Sequence, residues 1–390
     1  MTDIGTKVDG AGKHAIGNRE AHATRAIFFV SGFGAASWAP LVPVLRERLV
    51  IGDDLLGLLL LCIGIGSIVT MPLAGTLAER IGCRCVLIVG AVLYAVSLLS
   101  ICFVDSLRVA VPVIFLFGGL MGCVDVVMNI AAVIVERGIG RRIMSGMHAF
   151  WSLGGFVGAG LYGVWVGLVG LTPLQSTLIA AALMLTLTAA FGRYLIPYGG
   201  GGGTLIAIPR GIVAFIGVAA FIAFLSEGAV MDWGGVYLTT VRGMDLALAG
   251  TGYSVFSAAM LTMRFLGDRV VQRIGALPVA VGGALLAFGG ILLVMFAPVD
   301  ALLYVGFFAI GIGSANIVPV FFSLMGRQNV MPVSAAVSAV STMGYLGILA
   351  GPTAIGFVSA HTSLTTAFGM LAALSLLQAV VGFYVFRKLV

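Results

Sequence analysis

The sequence predicts an all-α membrane protein of twelve transmembrane helices, built as two parallel six-helix repeats. Three observations predict it. First, hydrophobic residues make up 60% of the 390-residue chain and charged residues only 9%, against roughly 25% charged in an ordinary soluble domain. So few charges cannot cover a water-facing surface, and the bilayer must be the main solvent. Second, the chain repeats itself at half its length. Arg80-Ile81-Gly82 recurs as Arg273-Ile274-Gly275, and Leu153-Gly154 with Gly158 recurs as Leu346-Gly347 with Gly351, both at an offset of 193 residues. Gly122-Cys123-Val124-Asp125 recurs as Gly313-Ser314-Ala315-Asn316 at an offset of 191. Third, once the chain is threaded back and forth through a bilayer, nearly all its basic residues fall on one side.

A span needs about 20 mostly apolar residues. The first half supplies six: 27–45, 55–78, 86–104, 109–135, 146–169 and 173–192. The break that follows runs from Tyr198 through five glycines, Gly199 to Gly203, and on to Arg210; such a composition makes a flexible linker. The second half supplies 211–238, 246–263, 277–297, 301–325, 333–359 and 364–386. Six spans bring the second half into the membrane from the same side as the first. The repeat is therefore parallel, unlike inverted repeats with an odd number of spans per half. The expected division is a disordered cytoplasmic tail over 1–24, an N-terminal bundle over 25–197, a cytoplasmic linker over 198–210 and a C-terminal bundle over 211–390. The tail is polar and lacks an apolar run, so it does not read as a signal peptide.

With the N-terminus in the cytoplasm, 17 of the 21 basic residues lie on the cytoplasmic side. Only Arg46, Arg48, Arg108 and Arg242 lie on the far side. The positive-inside rule then places both termini in the cytoplasm. It also accounts for the basic pI near 9.2 without a nucleic-acid partner. The five cysteines, Cys62, Cys83, Cys85, Cys102 and Cys123, are odd in number and sit mostly in apolar segments; they read as small apolar fillers. Cys83-x-Cys85 is too short and isolated for a zinc site. No metal or cofactor is expected, the chain has no phosphate-binding GxxxxGK[ST] loop, and it carries no catalytic constellation, so an enzyme is not expected.

At the end of the second span, Gly75-Thr76-Leu77-Ala78-Glu79-Arg80-Ile81-Gly82-Cys83-Arg84 resembles the signature loop of the major facilitator superfamily. Glu79 stands where that loop usually has Asp, and Cys83 replaces one usual Arg. A degenerate second copy is Gly267-Asp268-Arg269, followed by Arg273-Ile274-Gly275. Three further strings resemble the fucose-permease-like branch and its uncharacterised bacterial inner-membrane relatives: Asp125-Val-Val-Met-Asn129, Met147-His148-Ala-Phe-Trp151, and Ser226-Glu227 with Asp232-Trp233. The first span departs from the sugar-permease pattern, with no acid between Arg25 and Glu47. The resemblance implies alternating access by rocking of two bundles, with spans 1, 4, 7 and 10 lining a central cavity, in a multi-pass protein of the bacterial inner membrane.

The proposed spans contain no Lys or Arg and three acids: Asp125, Glu227 and Asp232. A carboxylate at mid-bilayer is costly and usually serves function. Gly118, Gly122, Asp125 and Asn129 share a helix face, where the glycines leave room and Asp125 with Asn129 supplies polarity. Asp125, Glu227 and His148 are the expected proton-coupling residues. Asn129, Trp151, Asn316, Tyr345 and Trp38 are the expected solute contacts. Glu79, Arg80, Arg84, Glu136, Arg142, Asp268 and Arg273 are expected to gate through a cytoplasmic ion-pair network, a role carried by the resemblance. The expected partners are protons, a small solute and the lipid bilayer, and a monomer is expected. The function these residues suggest is proton-coupled uptake of a small polar, sugar-like solute. Proton-driven efflux of amphipathic compounds is the alternative, although the span-five Gly-Pro of antiporters reads Gly158-Ala159 here. A receptor or scaffold that does not transport is the third reading.

Overall fold

A computed structural model describes residues 16–38, 40–51, 53–199, 207–244 and 251–389. Its helices, in chain order, are α1 (Asn18–Trp38), α2 (Leu41–Leu49), α3 (Asp53–Ile81), α4 (Cys83–Ser100), α5 (Leu107–Ile139), α6 (Met144–Gly163) and α7 (Pro173–Gly192) in the first half. The second half holds α8 (Ile212–Val236), α9 (Thr251–Ile274), α10 (Ala276–Phe296), α11 (Asp300–Ser314), α12 (Ile317–Met325), α13 (Val333–His361) and α14 (Leu364–Leu389). No strand occurs among the described residues. Ten helical units are long and apolar enough to cross a membrane, with α11 and α12 together forming one of them. Counting the charged helices α1 and α9 with them is consistent with the expected twelve. Outward-pointing Val89, Leu93 and Val96 on α4, and Leu285 and Leu286 on α10, are exposed; only lipid is a suitable solvent for such a belt.

The repeat is structural as well as sequential. In the first half α1 packs on α6 and α7, α3 on α5, and α4 on α5 and α7. The second half repeats each pairing: α8 on α13 and α14, α9 on α11, and α10 on α11 and α14. The repeated strings mark the joints. Gly82 and Gly275 each open the following helix at positive φ, 83° and 90°, a backbone region that disfavours other residues. A Cβ on Gly154 would lie 2.2 Å from the Phe29 carbonyl of α1, and one on Gly347 would lie 2.2 Å from the Phe221 carbonyl of α8. Both are close helix crossings of the small-residue kind common in membranes.

The halves do not meet evenly. On the face bearing both described chain ends, one apolar core runs through both halves, from Ala21, Ala78 and Val133 to Ile216, Phe321 and Val385. Toward the opposite face the core divides. One cluster, with Phe33, Tyr94 and Phe117, belongs to the first half alone, and another, with Tyr237, Phe256 and Phe307, to the second. Cross-half packing runs chiefly through α3 with α13 and α6 with α9, again a symmetric pair.

Three expectations are corrected. The expected tail over 1–24 overlaps α1, which begins at Asn18; Glu20 is buried and accepts the Gly17 N–H at 2.7 Å, so a polar stretch still starts a helix. Residues 1–15, and 200–206 of the expected linker, lie outside the described residues. The eighth span continues eleven residues past its expected end at 263. A hydropathy window stops at Arg264, but the helix does not, because other helices shield the charge. The tenth span, expected continuous, is interrupted at Ala315 and Asn316.

Candidate functional site

The interruption has a local cause. Pro319 has no N–H, so the Ala315 carbonyl four residues earlier loses its helical donor. Asn316 takes a non-helical backbone, φ −111° and ψ 2°, and its Nδ2 donates to the Met263 carbonyl of α9 at 3.1 Å. The freed Ala315 carbonyl accepts from Arg264 Nε at 3.3 Å. Arg264 Nη1 donates to Ser152 Oγ of α6 at 2.6 Å, and Nη2 lies 3.7 Å from Glu227 Oε2 of α8. Arg264 is thus a buried cation deep in the helical bundle, 5% exposed. It ties a helix break, an acid of its own half and a hydroxyl of the other half. Removing one partner of such a buried pair typically costs about 3–5 kcal/mol. Glu227 keeps 26% of its side chain exposed, so the pair borders open space rather than sealed core. Tyr253, three turns from Arg264 on the same helix, lies within electrostatic range of Arg264, Glu227 and Asp232.

Asp125 sits on α5, half-buried, and among the described residues nothing donates a hydrogen bond or ion pair to its carboxylate. Tyr94 of α4 and Tyr345 of α13 are within its electrostatic range. Tyr345 belongs to the other half, and its ring lies 6.5 Å from Phe224, one turn before Glu227 on α8. Asp125 and Arg264 each approach a residue of the other bundle, Tyr345 and Ser152, and the rings of Tyr345 and Phe224 stand along the seam between them. The glycines on the Asp125 face do not open a cavity: a Cβ on Gly118 or Gly122 would strike Ile63 or Ser67 of α3. Asn129 is 2% exposed and donates to the Asp125 backbone carbonyl at 2.9 Å.

At the terminal face, two acids cross between halves. Asp268 of α9 accepts the Ser145 and Gly146 N–H groups of α6, each at 2.9 Å. Glu79 of α3 accepts from Ser334 Oγ in the first turn of α13. Each acid meets the positive end of a helix from the opposite bundle. Ser338 Oγ donates to the Met71 carbonyl at 2.7 Å, adding to the α13 to α3 contact. Glu136 works within its own half, taking the Ile143 and Met144 N–H groups at 2.8 and 2.9 Å and standing 3.6 Å from Arg142.

The model of the Major Facilitator Superfamily matches residues 26–329. The chain belongs to the Major Facilitator Superfamily. It is 43% identical, over 360 residues, to an uncharacterised MFS-type transporter of Yersinia pestis, covering 91% of this chain and 93% of that protein. Among solved structures, the Escherichia coli fucose:proton symporter FucP superposes at a TM-score of 0.77 with 16% identity, covering 93% of this chain and 98% of that one. The human organic anion transporter MFSD10 superposes at 0.77 with 15% identity, covering 94% and 99%. At these identities the structural likeness shows the fold alone.

Within this superfamily member several expected site residues lie elsewhere. Trp38 is 8% exposed and packs on Phe117 at 5.7 Å in the first-half core. Trp151 is half-buried, its backbone against α1. Asn316 holds the helix break and is 2% exposed, not open to solute. His148 does not join Asp125. Its ring lies 5.4 Å from Phe28 and 5.9 Å from Phe322, and its charged neighbour is Arg264. Asp232 is exposed. The expected ion-pair network is replaced by hydrogen bonds to helix starts. Arg80 and Arg273 are exposed, with no ion pair among the described residues, and Arg84 donates to the Leu195 carbonyl at 2.8 Å. Arg264 was outside the expected site and just past the end of the expected eighth span; the one local sign of its partner was Pro319, four residues after Ala315.

Proposed function

We propose that this protein is a proton-coupled secondary active transporter of a small polar solute, working by alternating access of its two bundles. The observation that carries the reading is the divided core: one apolar cluster joins the halves at the terminal face, and separate clusters serve each half toward the other face. That arrangement fits a carrier closed on one side. Opening it there parts that shared cluster and breaks the polar contacts of Asp268 to α6, Glu79 to α13 and Ser338 to Met71; a solute or proton that favours one state shifts such a balance. Asp125 is the proton site in this reading. Its carboxylate has no fixed partner, so taking up and releasing a proton disrupts no existing pair. Arg264 and Glu227 form the solute end of the seam. The positive-inside pattern supports both termini in the cytoplasm of a bacterial inner membrane. One charge moved through 100 mV supplies about 2.3 kcal/mol.

Lightly buffered proteoliposomes, challenged with a panel of neutral and charged polar solutes, test this. Solute-dependent alkalinisation of the outer medium is the expected result. Acidification assigns the protein to antiport and efflux instead. Silence across the panel, from protein shown to be folded, favours the non-transporting reading.

A further inference from the structure

The Arg264 guanidinium has five N–H donors. Two are used, by Ala315 O and Ser152 Oγ. Nη2 makes no hydrogen bond, stands 3.7 Å from Glu227, and is not among the fully enclosed unpartnered atoms. The cation is thus built into the protein from one side and left with free donors on the side of a part-exposed carboxylate. We propose that Arg264 binds the carboxylate of an anionic solute, which displaces Glu227 from the guanidinium; this rests on the transporter reading above and names its substrate class.

The charge balance supports the choice. While Glu227 faces Arg264, the pair is neutral and the buried cation is compensated. A Glu227 carboxylate turned toward its exposed side leaves Arg264 as an uncompensated charge in low dielectric, an arrangement proteins avoid. An incoming carboxylate restores neutrality, and the planar guanidinium matches it in bidentate geometry. The anion sits on Arg264 while the coupled proton is carried on Asp125, the proton site of the transporter reading, so one negative and one positive charge cross together. No covalent bond is made or broken beyond protonation of Asp125. A single cation paired with Glu227 favours a monoanion over a dianion such as phosphate. Ser152 places a hydroxyl beside the cation, suited to the hydroxyl group of a hydroxy-monocarboxylate. His148, the other titratable group near Arg264, is enclosed between Phe28 and Phe322 and does not reach the pair's open side.

The test uses the purified full-length protein. Lactate, glycerate and gluconate are compared with glycerol and glucose, and with inorganic phosphate, by ligand-dependent shift of the thermal unfolding midpoint and by labelled uptake into proteoliposomes. At least one monocarboxylate is expected to stabilise the wild type, with its neutral counterpart about tenfold weaker or silent. Arg264→Lys should keep the charge and the fold but lose roughly tenfold in carboxylate affinity, because the fork geometry is gone. Glu227→Gln should tighten carboxylate binding, because the competing carboxylate is gone. Equal protection by neutral and anionic members overturns the proposal. So do stronger protection by phosphate, unchanged affinity in Arg264→Lys, and silence of all three carboxylates on folded wild type. Carboxylate binding without uptake removes the transport reading and keeps this one; proton-coupled uptake of glucose does the reverse.

Discussion

Asp125 and Asn316 occupy the same place in the two repeats, at the shared Gly-x-x-Asp/Asn string, yet their surroundings differ in kind. Around Asp125 the helix runs unbroken from Leu107 to Ile139, and the acid projects without a donor. Around Asn316 the helix is cut by Pro319, the side chain is spent on the Met263 carbonyl, and the freed Ala315 carbonyl holds a buried arginine. One scaffold, used twice, carries a lone acid in one copy and a fixed cation in the other. Symmetry governs how the halves pack, while single substitutions at equivalent positions change what each half holds in place.

The comparison breaks most visibly at the arginine. Arg264→Ala removes the cation but leaves Glu227, Ser152 and the Ala315 carbonyl facing one another, and should cost about 3–5 kcal/mol. The loss is read as a lowered unfolding midpoint and a smaller monodisperse fraction in detergent. Replacing Arg264 and Glu227 together with Met and Leu should recover most of that stability. An intact Arg264→Ala protein would mean that the second-half site is not held by its charge.

Making the repeats alike sharpens the contrast. Asn316→Asp puts an acceptor opposite the Met263 carbonyl that now receives the Nδ2 donor. A buried unsatisfied group of this kind costs about 1–3 kcal/mol, measurable by chemical or thermal unfolding. The reciprocal Asp125→Asn should leave stability nearly unchanged, because no partner is lost.

Smaller effects are expected where the two halves are most alike. Asp268→Asn weakens a charge-assisted contact with the α6 N-terminus by about 1 kcal/mol. That amounts to a roughly fivefold shift toward the state open at the terminal face, visible as faster labelling of single cysteines placed on that face. Pro319→Ala restores a donor to the Ala315 carbonyl. It should loosen Arg264 by well under about 1 kcal/mol, a change read as a small loss of carboxylate affinity.

Much of this was legible in the residues. The Arg-Ile-Gly and Leu-Gly repeats pointed to two copies, and both prove to be joints where a turn or a helix crossing demands glycine. Glu79 and Asp268 were legible as polar residues at the joint of the two halves through the repeated loop motif, although their partners prove to be helix starts rather than the expected arginines. Arg264 was not, since hydropathy cuts a span at a charge, and only packing from α6, α8 and α11 makes that charge tolerable. The roles of Trp38 and Asn316 were hidden for a similar reason. Whether an aromatic ring or an amide faces solute or core depends on neighbours distant in sequence, such as Phe117 and Met263. Pro319 was the one local clue to the break, and its meaning lay four residues upstream.

The division of labour between the halves is tested most directly by measuring solute binding and solute-driven proton flux together in Asp125→Asn proteoliposomes. The account predicts that binding persists near its wild-type strength while proton movement and accumulation against a gradient disappear. Proton flux that continues at the wild-type rate would contradict it, since the lone acid of the first repeat would then carry no proton.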